Sequence, residues 1–285
     1  MFCIQILSAT DIPDDLYLTL EGLAPWGWEE IRTEDQVRIL IHCHQEEAAR
    51  RIRQVLEAKH PLLSVQTKRQ EVKDWSMSWR EFFTPVRIKG NFIVLPAWDQ
   101  KETKDGYEIP LYIEPGMAFG TGHHPSTQLC LRALAELRDS GKVPAGSSFL
   151  DLGTGSGILG IAAVKMDLHG LGLDIDPVAV ANTSRNRLLN KTKDSLFLCT
   201  GGLDCIRQGV SFDLILANIL SSPLIEMAPL LVALLKPAGF LLLSGVLLEQ
   251  EEEVIQAYQR QRARKFKILH QEEWSGLIFS RERNE

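Results

Sequence analysis

At 285 residues, 45% of them hydrophobic and 24% charged, the chain is longer than a typical single domain and apolar enough to build a substantial core, which excludes a largely disordered protein. A formal net charge of -6 and a pI near 5.7 argue against a general affinity for nucleic acid, whose phosphates are bound by clustered Lys and Arg, and favour a basic protein partner. The five cysteines form no C-x-x-C pair, so neither a zinc framework nor a disulfide scaffold is expected.

In chain order, the first elements form a small α+β unit. Residues 2–7 and 36–44 have strand character, residues 14–23 read as a helix, and Ala49, Ile52, Val55 and Leu56 repeat at helical spacing within 46–59. Residues 62–67 return to extended character. The alternation predicts a ferredoxin-like N-terminal domain over residues 1–70. The opening residues carry no basic leader and no apolar run is long enough to span a bilayer, so a cytoplasmic protein without membrane contact is expected. His42 and His44 flank Cys43 on one strand face, yet with no third ligand they read as surface histidines, and no metal site is expected.

Residues 71–106 turn aromatic and turn-rich, with Trp75, Trp79, Phe82, Phe83 and Trp98, and read as a linker region with short strands and a connecting helix. The second domain is expected over residues 107–285. Within it, apolar strands at 149–152, 170–175, 196–199, 212–218 and 240–244 alternate with helices at 158–165, 177–190 and 223–235, the pattern of a sheet covered on both faces. After a further helix at 250–262, strands at 265–270 and 276–280 follow too closely for a crossover helix, so they are expected to pair as an antiparallel hairpin. The predicted fold class is α/β, a Rossmann-like sheet preceded by the small α+β domain, and its antiparallel terminal hairpin fits a class I methyltransferase sheet better than a simple dinucleotide-binding one. The basic run Arg260, Arg262, Arg264 and Lys265 reads as a solvated helix end.

The chemistry centres on Asp151-Leu152-Gly153-Thr154-Gly155-Ser156-Gly157, where a strand runs through a glycine-rich turn into a helix. Glycine permits the tight turn and close approach of a ligand to the backbone. The overlapping run from Gly155 to Gly160 also satisfies G-x-G-x-x-G, so the glycines alone leave a dinucleotide open as an alternative ligand. Asp151 at the mouth of the loop suits the ammonium of a methionine moiety and would repel a pyrophosphate. Asp174, ending the next strand, is placed to accept hydrogen bonds from ribose hydroxyls, a sugar both cofactors share. Asn218 ends a later strand at the edge where open α/β sheets bind ligands, and sits where a transfer centre would lie.

The segment from Glu114 through Gly116, Phe119, Gly120 and Gly122 to His124, Pro125 and Thr127 resembles the one ahead of the core in ribosomal protein L11 methyltransferases. The similarity continues through Asp151 to Gly157, Leu173 to Pro177, Ala217 to Ile219 with Pro223-Leu224, and Leu243-Ser244-Gly245. The resemblance implies S-adenosylmethionine as cofactor, with Thr127, Gly153, Asp174 and Asn218 in contact with it, and Phe119 and its neighbouring glycines forming a flap. It also implies transfer of methyl groups to lysine side chains or the N-terminal amine of a basic ribosomal protein, with the small domain holding that protein. His123-His124-Pro125-Ser126-Thr127 departs from the family's usual Thr-His-Pro-Thr-Thr and the N-terminal domain is shorter, departures that bear on acceptor identity. The alternatives are a methyltransferase of the same fold acting on another protein or a small molecule, a nicotinamide-dependent oxidoreductase, and a non-catalytic binding protein. No general base is apparent, and Asn218 is the candidate to orient an acceptor amine.

Overall fold

In the computed structural model of the chain, the described residues are 2–8, 14–24, 28–32, 37–43, 46–61, 63–69, 84–88, 92–99, 108–114 and 120–282. They divide into two compact units, Met1–Phe83 and Thr84–Glu285.

The first unit runs β1 (Phe2–Ser8), α1 (Asp14–Leu23), β2 (Glu29–Arg32), β3 (Val37–Cys43), α2 (Glu46–Lys59) and β4 (Ser64–Arg69). Its sheet has the order β2-β3-β1-β4 with every pair antiparallel, which is the ferredoxin-like arrangement. Ile4 and Ile6 of β1 and Ile39 and Ile41 of β3 alternate onto a buried face, where Leu16 and Leu20 of α1 and Ala49, Ile52 and Leu56 of α2 pack. β2 was not anticipated, because three of its four residues are charged. It lies at the sheet edge, where charge is tolerated and discourages pairing with other chains. His44 lies outside the described residues.

The second unit begins earlier than expected. β5 (Val86–Ile88) and β6 (Phe92–Pro96) fall within the region read as a linker, but they pair with each other and with β7 (Ile109–Ile113) in a three-stranded sheet. Every residue of β6 is buried, which explains the apolar composition of that stretch. Trp75, Trp79 and the connecting helix expected nearby lie outside the described residues.

The remaining elements are α3 (Pro125–Asp139), β8 (Ser148–Leu152), α4 (Ile158–Lys165), β9 (His169–Asp174), α5 (Pro177–Leu189), β10 (Leu196–Thr200), β11 (Phe212–Asn218), α6 (Ser221–Ala233), β12 (Leu235–Leu247), α7 (Glu251–Arg260), β13 (Ala263–Gln271) and β14 (Trp274–Arg281). The seven strands from β8 onward order as β10-β9-β8-β11-β12-β14-β13. β8 to β12 run parallel, and β14 inserts antiparallel between β12 and β13, so the terminal hairpin is present and its second strand also joins the main sheet. Strand residues alternate between two cores: Phe149, Leu214, Leu216 and Leu242 face α3 and α4, while Leu150, Ile215, Leu241 and Leu243 face α6 and α7. α3 was not anticipated. Leu129, Cys130, Leu131, Ala133, Leu134, Ala135 and Leu137 are all buried, so only a narrow polar stripe, Gln128, Arg132, Glu136 and Asp139 at i, i+4, i+8 and i+11, marks its helical period. Among the described residues, no helix is long and apolar enough to cross a membrane.

Candidate functional site

The strand order reverses between β8 and β11, and open α/β sheets bind ligands at the carboxyl ends of strands beside such a reversal. Gly153, Asp174 and Asn218 all lie there, at the ends of β8, β9 and β11. Gly153 has φ +68°, and a Cβ on it would come within 2.5 Å of Ile219 Cγ2, so the position admits only glycine without rearrangement. The Gly153 and Thr154 N–H groups both donate to Leu173 O, lashing the loop to β9.

Asp174 is held from two sides. Its Oδ2 accepts the Gly155 N–H at 2.9 Å and its Oδ1 accepts the Asp176 N–H at 3.0 Å. Each carboxylate oxygen keeps lone-pair capacity for a further donor, as two ribose hydroxyls require. Ile175 beside it is 79% exposed, an apolar surface next to the strand end against which a base could lie.

Asp151 behaves differently from expectation. It is 1% exposed beneath the loop, where its Oδ2 accepts the Thr154 hydroxyl at 2.7 Å and the Gly160 N–H at 3.0 Å. Burial pushes its carboxyl up to about 6 against these two hydrogen bonds, and the nearby Asp174 adds to the rise. Its place is thus to tie the loop to the first turn of α4 rather than to stand open at the loop mouth. The same bonds weigh on the dinucleotide alternative. A pyrophosphate would need the free N–H groups of the loop and helix N-terminus. The Gly155 N–H goes to Asp174, the Gly157 N–H to Thr154 O, the Ile158 N–H to Ser156 Oγ and the Gly160 N–H to Asp151.

Thr127 reaches the same corner from the start of α3. His124 caps that helix, its Nδ1 accepting the Ser126 N–H with Pro125 at the first helical position, and its ring meets Trp274 edge-on at 4.6 Å. His123 lies within hydrogen-bond reach of Thr84 O, so both histidines serve the local fold. Thr127, 1% exposed, accepts a hydrogen bond from Asn218 Nδ2 at 3.3 Å across 91 residues of sequence. Among the described residues, Asn218 Oδ1 is buried and has no hydrogen-bond partner. A buried acceptor left unmatched is costly unless a ligand supplies the donor. The four predicted residues therefore converge: Thr127 bonds Asn218, Gly153 packs on Ile219, and Asp174 grips Gly155. Phe119 lies outside the described residues, but Gly120 O accepts the Ser156 hydroxyl at 2.6 Å, which fastens the end of that segment to the glycine loop.

Sequence reasoning missed a second set of residues, on α5. Thr183 Oγ1 donates to Gly155 O at 2.8 Å; Asn186 donates to Ser156 O and accepts the Glu114 N–H, both at 2.8 Å; Asn190 exchanges two hydrogen bonds with Tyr112. Thr183, Asn186 and Asn190 are all buried. The spacing i, i+3, i+7 of small polar residues was the available signal, since it places all three on one helix face.

A parallel sheet reversing between its first and fourth strands, with an antiparallel strand inserted near its edge and this cluster of residues at the reversal, defines a class I methyltransferase domain. The chain belongs to the ribosomal protein L11 methyltransferase (PrmA) family, whose model matches residues 12–282. It is 41% identical over 217 residues to a ribosomal protein L11 methyltransferase of Geobacter metallireducens, covering 76% of this chain and 68% of that one. It is 39% identical over 252 residues to the one of Sinorhizobium fredii, covering 86% and 84%. Among solved structures it is similar to the ribosomal protein L11 methylase of Lactobacillus delbrueckii subsp. bulgaricus, with TM-score 0.64 and 27% identity over 70% of this chain and 100% of that one.

Proposed function

We propose that the protein transfers methyl groups from S-adenosylmethionine to amino groups of ribosomal protein L11, on lysine side chains, the N-terminal amine or both, in the cytoplasm. The observation that carries the site is the buried, unpartnered Oδ1 of Asn218 beside Thr127, at the carboxyl edge of the sheet. The family membership supports the acceptor. The residues fit the cofactor. Asp174 would take the ribose hydroxyls, Gly153 would let the ligand approach the backbone, and Thr127 and Asn218 would line its methionine end. S-adenosylmethionine supplies an already activated methyl group on a sulfonium.

The task left to the chain is alignment and exclusion of water. An acceptor amine must arrive neutral, since an ammonium has no lone pair to offer. The free Asn218 Oδ1 can accept one N–H of that amine and so point its lone pair at the methyl carbon. As the new C–N bond forms the methyl–sulfur bond would break, leaving a neutral thioether, and the positive charge would pass to the nitrogen, which releases its surplus proton to solvent. The small ferredoxin-like unit is assigned to holding the acceptor protein, a role supported by the family match running through it from residue 12.

The test is incubation with methyl-tritiated S-adenosylmethionine and unmethylated L11. Label should enter amino groups of L11, and Asn218→Ala should lose at least about tenfold in kcat/KM, the scale of one displaced orienting hydrogen bond. Turnover on another acceptor with none on L11 would overturn the acceptor, and an unchanged Asn218→Ala enzyme would remove Asn218 from the site.

A further inference from the structure

At the opposite edge of the large sheet from Asn218 lies an open cavity of about 1730 Å³. It is framed by the end of α3, the start of β12, the turn after α7, the start of β13 and the end of β14. Lys142, Arg262, Arg264, Lys265 and Arg281 line it, against a single acid, Glu282. Arg281 is occupied, its guanidinium donating to Val232 O, Ala233 O and Leu235 O at the end of α6. Among the described residues, the side chains of Lys142, Arg262, Arg264 and Lys265 have no ion-pair partner. Four unpaired cations around one concavity, in a chain of net charge -6, repel one another and form a local positive field.

A second feature is independent of charge. The pairing of β13 with β14 shifts between Lys265 and Lys267, so Phe266 is the extra residue of a β-bulge. A regular strand would alternate its faces, yet Arg264, Lys265 and Phe266 line the same cavity in succession. The bulge leaves Phe266 46% exposed, its ring propped edge-on by Phe240 at 5.3 Å.

We infer that this cavity is a docking groove for single-stranded nucleic acid, with phosphates on Lys142, Arg262, Arg264 and Lys265 and a base stacked on Phe266. Edge-strand protection alone would account for Arg264 and Lys265, which lie on the outermost strand. It does not require Lys142, which follows a helix, or Arg262, held at φ +61° in a turn, to gather at the same place. Nor does it call for an exposed aromatic ring among them. Cations that track a backbone beside an aromatic platform are what single strands bind. An acidic peptide would use the cations and leave the ring idle. The groove lies at the far sheet edge from the cofactor residues, so it can be filled while the methyl-transfer site works.

The experiment is fluorescence anisotropy of a labelled 12-nucleotide single-stranded RNA with the full chain. Binding should weaken with salt at a slope of about -3 in log K against log salt, as about four neutralised phosphates dictate. The double variant Arg262→Glu/Arg264→Glu, and Lys142→Glu separately, should each lower affinity, the double variant more than about tenfold. Phe266→Ala should lower it about 5- to 100-fold without changing the salt slope. S-adenosylhomocysteine affinity, measured on the same variants, should stay at the parent value and so report intact folding. RNA affinity unchanged in the charge-reversal variants, or in Phe266→Ala, would overturn the inference. So would polyglutamate competing as well as unlabelled RNA of equal charge, which would make the partner an acidic peptide.

Discussion

Replacing Gly157 by alanine probes the close packing of the glycine-rich loop against α5. Gly157 has φ +83°, and an added Cβ would lie 2.5 Å from Thr183 Cγ2. Left-handed backbone costs a non-glycine residue about 1–2 kcal/mol. Carbon atoms ordinarily meet at about 3.5–4.0 Å, so the forced overlap adds about 1–3 kcal/mol of overpacking. Gly157→Ala should therefore destabilise the protein by about 2–5 kcal/mol. Thr183→Ser separates the two contributions, because it deletes the clashing methyl while keeping a hydroxyl able to donate to Gly155 O. In a double-mutant cycle the pair should recover the overpacking part, a coupling of about 1–3 kcal/mol, and retain the backbone part. Urea unfolding gives the stabilities and calorimetric titration of S-adenosylhomocysteine the effect on the loop's ligand. A Gly157→Ala protein as stable as the parent would refute the reasoning. So would a cycle with no coupling, since the strain would then lie elsewhere than against Thr183.

Two further outcomes follow from the buried polar groups around the same loop. Asn186→Ala strands the Glu114 N–H and the Ser156 carbonyl; at about 1–3 kcal/mol for each unsatisfied buried group, the unfolding midpoint should fall markedly and S-adenosylhomocysteine should bind more weakly. Unchanged stability would mean that water replaces the amide. Asp151 holds its proton more tightly when folded, with its carboxyl raised from 3.8 to about 6 chiefly by burial. Its contribution is therefore fully present below pH about 4 and is lost as pH rises through about 6. At about 1.4 kcal/mol per unit, the ionised carboxylate costs about 3 kcal/mol at neutral pH. The stability of the parent relative to Asp151→Asn should fall across that interval, measured by urea unfolding from pH 4 to 8, and a flat difference would show that Asp151 does not titrate there.

Strand and helix periodicities of 2 and 3.6, and the capacity of glycine for positive φ, are local properties, and they made most of the fold legible from one sequence. The alternating unit from residue 147 onward and the hairpin that ends it were visible on these grounds, as were Gly153, Asp174 and Asn218 at strand ends. Elements whose local pattern is weak were not: β2 is nearly all charge because it lies at an edge, and α3 buries so much of its surface that only a narrow polar stripe from Gln128 to Asp139 marks its period. The short strands expected within 71–106 are present as β5 and β6, but they belong to the second unit, since the partner of a short buried strand is not encoded in its own apolar run. Asp151 shows the same limit in the site, where a carboxylate beside a glycine loop reads as ligand-facing until packing buries it and gives it Thr154 and Gly160. Sequence by itself determined which residue types end the strands, and hence the class of ligand they suit. Only the tertiary structure decided which groups meet, because hydrogen bonds such as Asn218 to Thr127, or Asn186 to Ser156, depend on distances between segments that no local periodicity encodes.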